Sequence, residues 1–544
     1  MIRSGNEAGM TGLAGRIILL YGWKRAALAF FAGAFAVLAL PPFDFFAAAF
    51  VSFVLLVLLI EGAVAPPNAG PLRRIMPAVK IGWWFGFGYF LAGLWWLGNA
   101  LLIEADEFAW AVPLAVLVLP AGLALFYALA VGLARIIWTE GVGAVAALGF
   151  GFGVSEWLRG FLFTGFPWNP VGHLAMPAPL LMQSASIIGV DGMNALAVLF
   201  FALPAVLFLG RHRKRGLFLF ILLAAAHGGF GYYRLQNAGP GKNDGTLVRL
   251  VQPSVSQSEK WDNAARDKIF TKLLELSAAK AADGKKRPDL IIWPETSIPF
   301  LLTERPDAYS AIADTLEDGQ TLLAGAVRQE GDRKSGEEVR YYNSLLVFND
   351  KGELISASDK QHLVPFGEYL PLDGIFRSLG LSEVVNTPGG FSAGGVRRNI
   401  KLANGITLNP LICYEVIFPD EIGTEDGRAD AMVNVTNDAW YGNTPGPWQH
   451  LRFAQIRAVE QGLPLLRAAN NGMSVTIDSY GQIVEGLKLN EIATIDTYLP
   501  AKLQPTQFVL QGRLWFLLIL FALAAIAGLT ILRARSRISL SLSS

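Results

Sequence analysis

Eight apolar runs, each near the length a helix needs to cross a bilayer, constrain this chain more than any other feature. A segment in lipid has no water to satisfy its backbone N–H and C=O groups, so it must pair them internally. Seven runs precede residue 236, at about 25–40, 43–62, 79–103, 108–136, 141–163, 188–209 and 216–234, and an eighth covers about 513–532. Pro41-Pro42 alone joins the first two and reads as a tight turn between helices. Composition agrees, with 53% hydrophobic and 16% charged residues, against about 25% charged in soluble domains. The expected architecture is a polytopic α-helical membrane bundle of about eight spans.

Lysine and arginine give this bundle a direction. Lys24 and Arg25 precede the first run, and Arg73, Arg74 and Lys80 separate the second from the third. Arg135 closes the fourth, Arg211, Arg213, Lys214 and Arg215 separate the sixth and seventh, and Arg533, Arg535 and Arg537 follow the eighth. If all eight runs span, every one of these lies on one side, which places both termini in the cytoplasm and residues 235–512 outside it. A cleaved signal peptide is not expected, because no small-residue cleavage site follows the first run and a second apolar run begins at once. The net charge of +1 offers nothing to a nucleic acid, and a single cysteine excludes an intrachain disulfide.

Between about 245 and 502 the texture changes. Short aliphatic runs such as TLVRLVQP, DLIIWPE, TLLAGAV, SLLVF, ITLNPLICYE and AMVNVTND alternate with helical stretches such as AARDKIFTKLLELSAAKAA and GPWQHLRFAQIRAVEQG, the pattern of a mixed α/β domain. Asn349-Asp350-Lys351-Gly352, between SLLVF and ELISAS, signals a hairpin and hence antiparallel pairing. The expected division is a bundle of about seven spans over 1–236, an extracytoplasmic domain over 237–508, and a last membrane helix with its tail over 509–544.

Cys413, the one thiol in the chain, stands where the apolar run ITLNPLI gives way to EVIFPDEI. A buried cysteine is more often a small apolar filler than a reagent. A strand-to-turn position, however, presents both a side chain and the following backbone N–H to a substrate. Glu295 ends DLIIWPE, where Pro294 stops a strand, and Lys360 ends ELISASDK before a proline- and glycine-rich loop. Taken singly, a strand-end carboxylate and a lone lysine read as solvated charges. The five histidines, His173, His212, His227, His362 and His450, show no paired ligand spacing, so no metal site is expected.

Taken together, DLIIWPE, SDKQHLVPFGE and LICYE resemble the Glu, Lys and Cys motifs of the nitrilase (carbon–nitrogen hydrolase) superfamily. HLVPFGEYLP, VNVTNDAWYGNTPGPWQH, RAVEQGLPLLRAANNG and EWLRGFLFTGFPW further resemble the apolipoprotein N-acyltransferase family, which completes bacterial lipoprotein maturation. The resemblance implies an inserted nitrilase-like αββα sandwich in the bacterial inner membrane, with its catalytic domain periplasmic. It implies Cys413 as nucleophile, Glu295 as general base and acid, and Lys360 as the cation for thiolate and oxyanion. Glu368, Glu415 and Tyr414 are expected as supporting groups, with the Tyr414 backbone N–H a second oxyanion donor, and Trp261 near the lipid entrance.

The implied reaction takes an acyl chain from the sn-1 position of phosphatidylethanolamine onto Cys413 as a thioester. It then passes the chain to the α-amine of an apolipoprotein's diacylglyceryl-modified amino-terminal cysteine. The partners implied are therefore a phospholipid donor, a lipidated apolipoprotein acceptor and the bilayer, with a monomer expected and no cofactor. Two other readings share these residues: a membrane-anchored amidase that delivers the acyl group to water, and a transporter or receptor with an inert ectodomain. Few intramembrane charges and no repeat of halves count against the transporter. In the membrane part, Glu156 and Arg159 either pair with each other or meet a lipid headgroup.

Overall fold

A computed structural model of the chain describes residues 12–103, 105–209, 212–238, 245–260, 264–281, 285–331, 337–372, 374 and 390–542. The chain divides into two compact units: Met1–Gly98 with Ala111–Asn237 and Thr506–Ser544, and Asn99–Trp110 with Ala238–Pro505.

Six helical stretches among the described residues are long and apolar enough to cross a membrane: Gly22–Ala39, Pro71–Leu102, Ala105–Ile136, Ala185–Phe208, Arg213–Gln236 and Gln507–Arg533. Two of the eight expected runs form helices without joining these six. Ala47–Glu61 has 15 residues, and Val142–Arg159 is interspersed with glycine and ends on the charged Glu156 and Arg159. The third helix begins at Pro71, well before the apolar run, because proline at the first turn starts a helix that carries Arg73, Arg74 and Lys80.

The first unit packs through small residues and aromatic rings. A Cβ on Gly88 would lie 1.9 Å from the Phe30 carbonyl oxygen, so Gly22–Ala36 and Pro71–Leu94 approach backbone to backbone there. Phe53 meets Phe85 at 5.5 Å and Phe152 at 5.8 Å between ring centroids. Glu156 and Arg159 are fully buried and paired, which decides between the two roles expected for them. Arg159 also donates to the carbonyls of Phe166 and Trp168, while Glu156 Oε1 accepts from Tyr127 at 2.9 Å and from the Val171 amide at 3.2 Å. Both charges therefore serve to fasten the irregular segment after the helix, since unpaired charges at this depth would be costly.

Among the described residues the second unit has twelve strands: β1 (Leu247–Gln252), β2 (Leu290–Ile292), β3 (Thr321–Glu330), β4 (Arg340–Phe348), β5 (Leu354–Asp359), β6 (Ile400–Lys401), β7 (Thr407–Ile412), β8 (Ala431–Thr436), β9 (Leu465–Ala469), β10 (Val475–Ile477), β11 (Ile483–Gly486) and β12 (Ala493–Tyr498). They form two six-stranded sheets, ordered β12-β1-β2-β3-β4-β5 and β11-β10-β9-β8-β7-β6. The central strands of each sheet run parallel and the outer pairs antiparallel. The hairpin read at Asn349–Gly352 is the β4–β5 connection.

The two sheets share one apolar core, in which Val248, Leu250, Ile292 and Leu345 of one meet Leu408, Val433, Val435 and Leu466 of the other. On its other face the first sheet presents Val251, Ile291, Trp293 and Leu322 to Ile269, Phe270 and Leu273 of Arg266–Ala278 and to Ile312 of Pro306–Thr315. The helix Gly446–Gln461 packs on β9 and β10, so the layers run helix, sheet, sheet, helix. Strands buried on both faces read as continuous apolar runs, which is why TLVRLVQP and AMVNVTND carry no alternation.

One buried ion pair closes the sheet edge. Arg249 of β1 binds Asp496 of β12 through two bonds of 2.7 Å and also donates to the Ser277 carbonyl. Removing one partner strands a charge in the interior, so Asp496→Ala is expected to destabilise the second unit by about 3 kcal/mol. Thermal unfolding of the detergent-solubilised protein checks this, and an unchanged melting temperature refutes it.

Candidate active site

Three strand ends of the second unit meet at one buried cluster. Cys413 directly follows β7 with φ +52°, a conformation rare for a residue with a side chain, and opens the 3-10 turn Cys413–Ile417. Glu295 follows β2 after Trp293 and Pro294, and Lys360 follows β5. Gly325 on β3 makes room for the Glu295 turn: a Cβ there would lie 2.2 Å from the Pro294 carbonyl oxygen and 2.7 Å from the Glu295 Cα.

Lys360 is 1% exposed and lies between two carboxylates, with Nζ 2.9 Å from Glu368 Oε1 and 3.4 Å from Glu295 Oε1. Asn343 of β4 bridges the same two oxygens, donating from Nδ2 at 3.0 Å and 2.7 Å. The remaining carboxylate oxygens take backbone amides, Glu295 Oε2 from Asn437 at 2.9 Å and Glu368 Oε2 from Val364 at 2.8 Å. Burial disfavours the Lys360 ammonium, but Glu368, Glu295 and Cys413 outweigh it and hold its pKa above the ordinary lysine value.

The thiol is held in its neutral form. Burial is the largest influence raising the Cys413 pKa, followed by Glu295, while Lys360 pulls it down and Asp438 pushes it up. A resting thiol in such surroundings requires a base at the moment of attack. The Thr436 hydroxyl oxygen, at the end of β8, lies 3.2 Å from Cys413 Sγ and 3.1 Å from Asp438 Oδ1.

Glu415 plays a different part from Glu368. Its Oε1 accepts from the Gln361 amide at 2.8 Å and from Arg397 at 2.7 Å, and its Oε2 accepts from the Ile412 amide at 2.7 Å. It thus ties the residue before Cys413 to the chain just after Lys360. Tyr414 is buried, its ring set edge-on against Phe418 at 5.0 Å and His362 at 5.6 Å. Trp261 lies outside the described residues. Among the described residues no group of three or more His, Cys, Asp or Glu side chains could hold a metal ion.

Several site residues escaped sequence reasoning. Lys260 is buried, and its Nζ donates to the Glu295 carbonyl at 3.1 Å and to the Thr296 hydroxyl at 2.5 Å. Nothing in SQSEKW distinguishes it from a surface lysine. Asn343 could have been suspected as an amide inside the apolar run YYNSLLVF. Beneath Cys413, Asp438 Oδ2 accepts from Arg467 at 2.9 Å, and His450 Nε2 lies 3.2 Å from the Cys413 carbonyl oxygen. Burial would raise the Asp438 pKa, yet Arg467 and His450 hold it down at about 2.

Fold and site together define a carbon–nitrogen hydrolase type of unit joined to a unit of membrane-length helices. The family described as carbon-nitrogen hydrolase matches residues 247–506, and that described as apolipoprotein N-acyltransferase N-terminal domain matches residues 32–203. A protein of Brucella suis biovar 1 (strain 1330) named apolipoprotein N-acyltransferase is 56% identical over 96% of this chain and 99% of its own length. One of the same name from Rhizobium rhizogenes (strain K84) is 56% identical over 90% of this chain and 92% of its own. The solved structure of Saccharomyces cerevisiae Nit3, a member of branch 10 of the nitrilase superfamily, is 21% identical and covers 47% of this chain and 90% of that one, with a TM-score of 0.34. This chain belongs to the apolipoprotein N-acyltransferase family.

Lys260 gives the site a measurable pH signature. Burial lowers its pKa from 10.5 to about 8, against the opposing pull of Glu295 and Cys413. Between those two values the unfolded chain holds the proton that the folded one has released, so this group's contribution to stability rises with pH. At one pKa unit per about 1.4 kcal/mol, the advantage of Lys260→Met over wild type should shrink by roughly 3 kcal/mol as pH rises through that window. Unfolding followed in parallel on both proteins tests it, and a difference that does not change with pH refutes it.

Proposed function

We infer that the chain is a phospholipid:apolipoprotein N-acyltransferase that works through a thioester on Cys413. What carries the reading is the burial of Cys413, Glu295 and Lys360 in one cluster, where the lysine is fixed by two carboxylates and its charge pulls the thiol pKa down. Glu295 takes the thiol proton as sulfur attacks the sn-1 ester carbonyl of a phospholipid, for which phosphatidylethanolamine is the proposed donor. The Lys360 ammonium and the Tyr414 backbone N–H receive the oxyanion, and collapse expels the lysophospholipid alkoxide, which recovers the proton from Glu295.

The second half repeats the geometry with a different nucleophile. The α-amine of an apolipoprotein's diacylglyceryl-modified terminal cysteine attacks the thioester and passes a proton to Glu295. The departing thiolate regains that proton and leaves an N-acylated lipoprotein. Glu368 holds the Lys360 ammonium, Glu415 the backbone around it, and Trp261 is assigned to the lipid entrance.

Both substrates carry chains lodged in the bilayer, and drawing one out would cost about 0.8 kcal/mol per methylene. A membrane-bound enzyme avoids that extraction. We therefore place the protein in the bacterial inner membrane, with residues 237–508 periplasmic, both termini cytoplasmic, and a monomer as the working form. Eight spans follow if Ala47–Glu61 and Val142–Arg159 cross alongside the six longer apolar helices.

Wild-type protein incubated with labelled phosphatidylethanolamine should acquire label on Cys413, and Cys413→Ala should acquire none. Adding a diacylated lipopeptide should move the label into an amide. Release as free fatty acid with no amide formed would instead identify an amidase, and equal labelling of Cys413→Ala would remove the thioester. For orientation, a reporter fused after residue 350 should be active only outside the cytoplasm, and cytoplasmic activity reverses the proposed topology.

A further inference from the structure

The Thr436 hydroxyl stands between two acceptors and has one proton to give. Its oxygen lies 3.2 Å from Cys413 Sγ and 3.1 Å from Asp438 Oδ1. Thr436 and Asp438 are fully buried and Cys413 is buried, which keeps the choice of acceptor within the protein. Asp438 does not depend on this proton, because Arg467 holds its other oxygen at 2.9 Å and Arg467 itself is fully buried. Burial and Arg467 lower the pKa of His450, against the opposing pull of Asp438. His450 Nδ1 lies 2.9 Å from Asp438 Oδ1 and 3.0 Å from Arg467 Nη2, and its Nε2 lies 3.2 Å from the Cys413 carbonyl oxygen.

The two acceptors differ in when they need the proton. A neutral thiol is a weak acceptor, so in the resting site the hydroxyl points to the Asp438 carboxylate. Once Glu295 has removed the thiol proton, sulfur carries a full negative charge and becomes the stronger claimant. In the thioester that charge is gone, and it returns when the amine expels the thiolate. A bond made only while sulfur is charged lowers the barrier rather than deepening the ground state.

We propose that Thr436 is a catalytic residue of this transferase, a hydroxyl that rotates from Asp438 to Cys413 Sγ to stabilise the thiolate on formation and again on departure. The proposal rests on Cys413 as the acyl carrier. No proton is transferred from Thr436; its O–H bond only turns, and the thiol proton travels to Glu295 as before. The other groups acting on this sulfur are Glu295 after β2, Lys360 after β5, Lys260 before the helix Arg266–Ala278, and Asp438 and Tyr441 of the turn after β8.

Because Cys413 is the sole thiol, its alkylation by iodoacetamide reports thiolate formation without interference. Full-length wild type, Thr436→Val, Thr436→Ala and Thr436→Ser are compared between about pH 7 and 9, together with the single-turnover rate of acyl transfer from labelled phosphatidylethanolamine. Losing a hydrogen bond to a charged group should slow both alkylation at each pH and acyl-enzyme formation by about 10- to 100-fold in the valine and alanine variants. The serine variant should stay close to wild type.

A purely structural hydroxyl would lower the melting temperature and leave the alkylation profile where it was. Wild-type profiles in the valine and alanine variants overturn the proposal, as does a serine variant as slow as alanine. Should valine prevent folding, alanine decides alone, since it removes the hydroxyl without pressing a methyl on Asp438. A wild-type enzyme that forms no acyl-enzyme defeats Cys413 as carrier, while the alkylation profiles still test Thr436 on its own.

Discussion

The site depends on an ammonium buried between two carboxylates. Lys360 could not remain charged at 1% exposure without Glu295 and Glu368, and the two acids could not lie so close together without Lys360 and the Asn343 amide between them. Each group thus lowers the cost of burying the others. Glu295 follows β2, Asn343 lies on β4 and Lys360 follows β5, all of one sheet, so its register sets the spacing of the cluster. The thiol comes from the facing sheet, and the apolar core shared by the two is what brings sulfur and charges together.

How much of this was legible beforehand varied with the physics of each element. Apolar runs announce membrane-length helices because lipid tolerates little else, yet their ends follow from capping and charge, and Pro71 and Arg73 extended the third helix beyond its apolar run. The buried strands were found by continuous β-branched stretches and stop residues such as Pro294. Glu295, Lys360 and Cys413 stood out by motif. Lys260, Asn343, Thr436 and the pair Asp438 and His450 did not, because their importance lies in contacts between strands far apart in sequence, such as Thr436 with Cys413 and Lys260 with Glu295. Glu156 and Arg159 were legible as charges near a helix end, but only the fold shows that both are consumed in holding Val171, Phe166 and Trp168.

The resting site stores its reactivity in a suppressed form. Burial keeps sulfur protonated, and Glu295 raises its pKa still further, so the same carboxylate that must accept the proton also discourages its loss. Lys360 offsets part of that penalty. A neutral thiol is also protected between turnovers, since a standing thiolate is open to oxidation.

Glu415 fastens the first residue of the Lys360 loop and the last residue of β7 to one carboxylate, although those residues come from opposite sheets. Thermal motion that slides one sheet over the other therefore carries lysine and sulfur along together. Their separation behaves as an internal length of the molecule, insulated from the breathing of the sandwich around it. The acyl chain in transit would meet the same electrostatic field however far the surrounding layers had drifted.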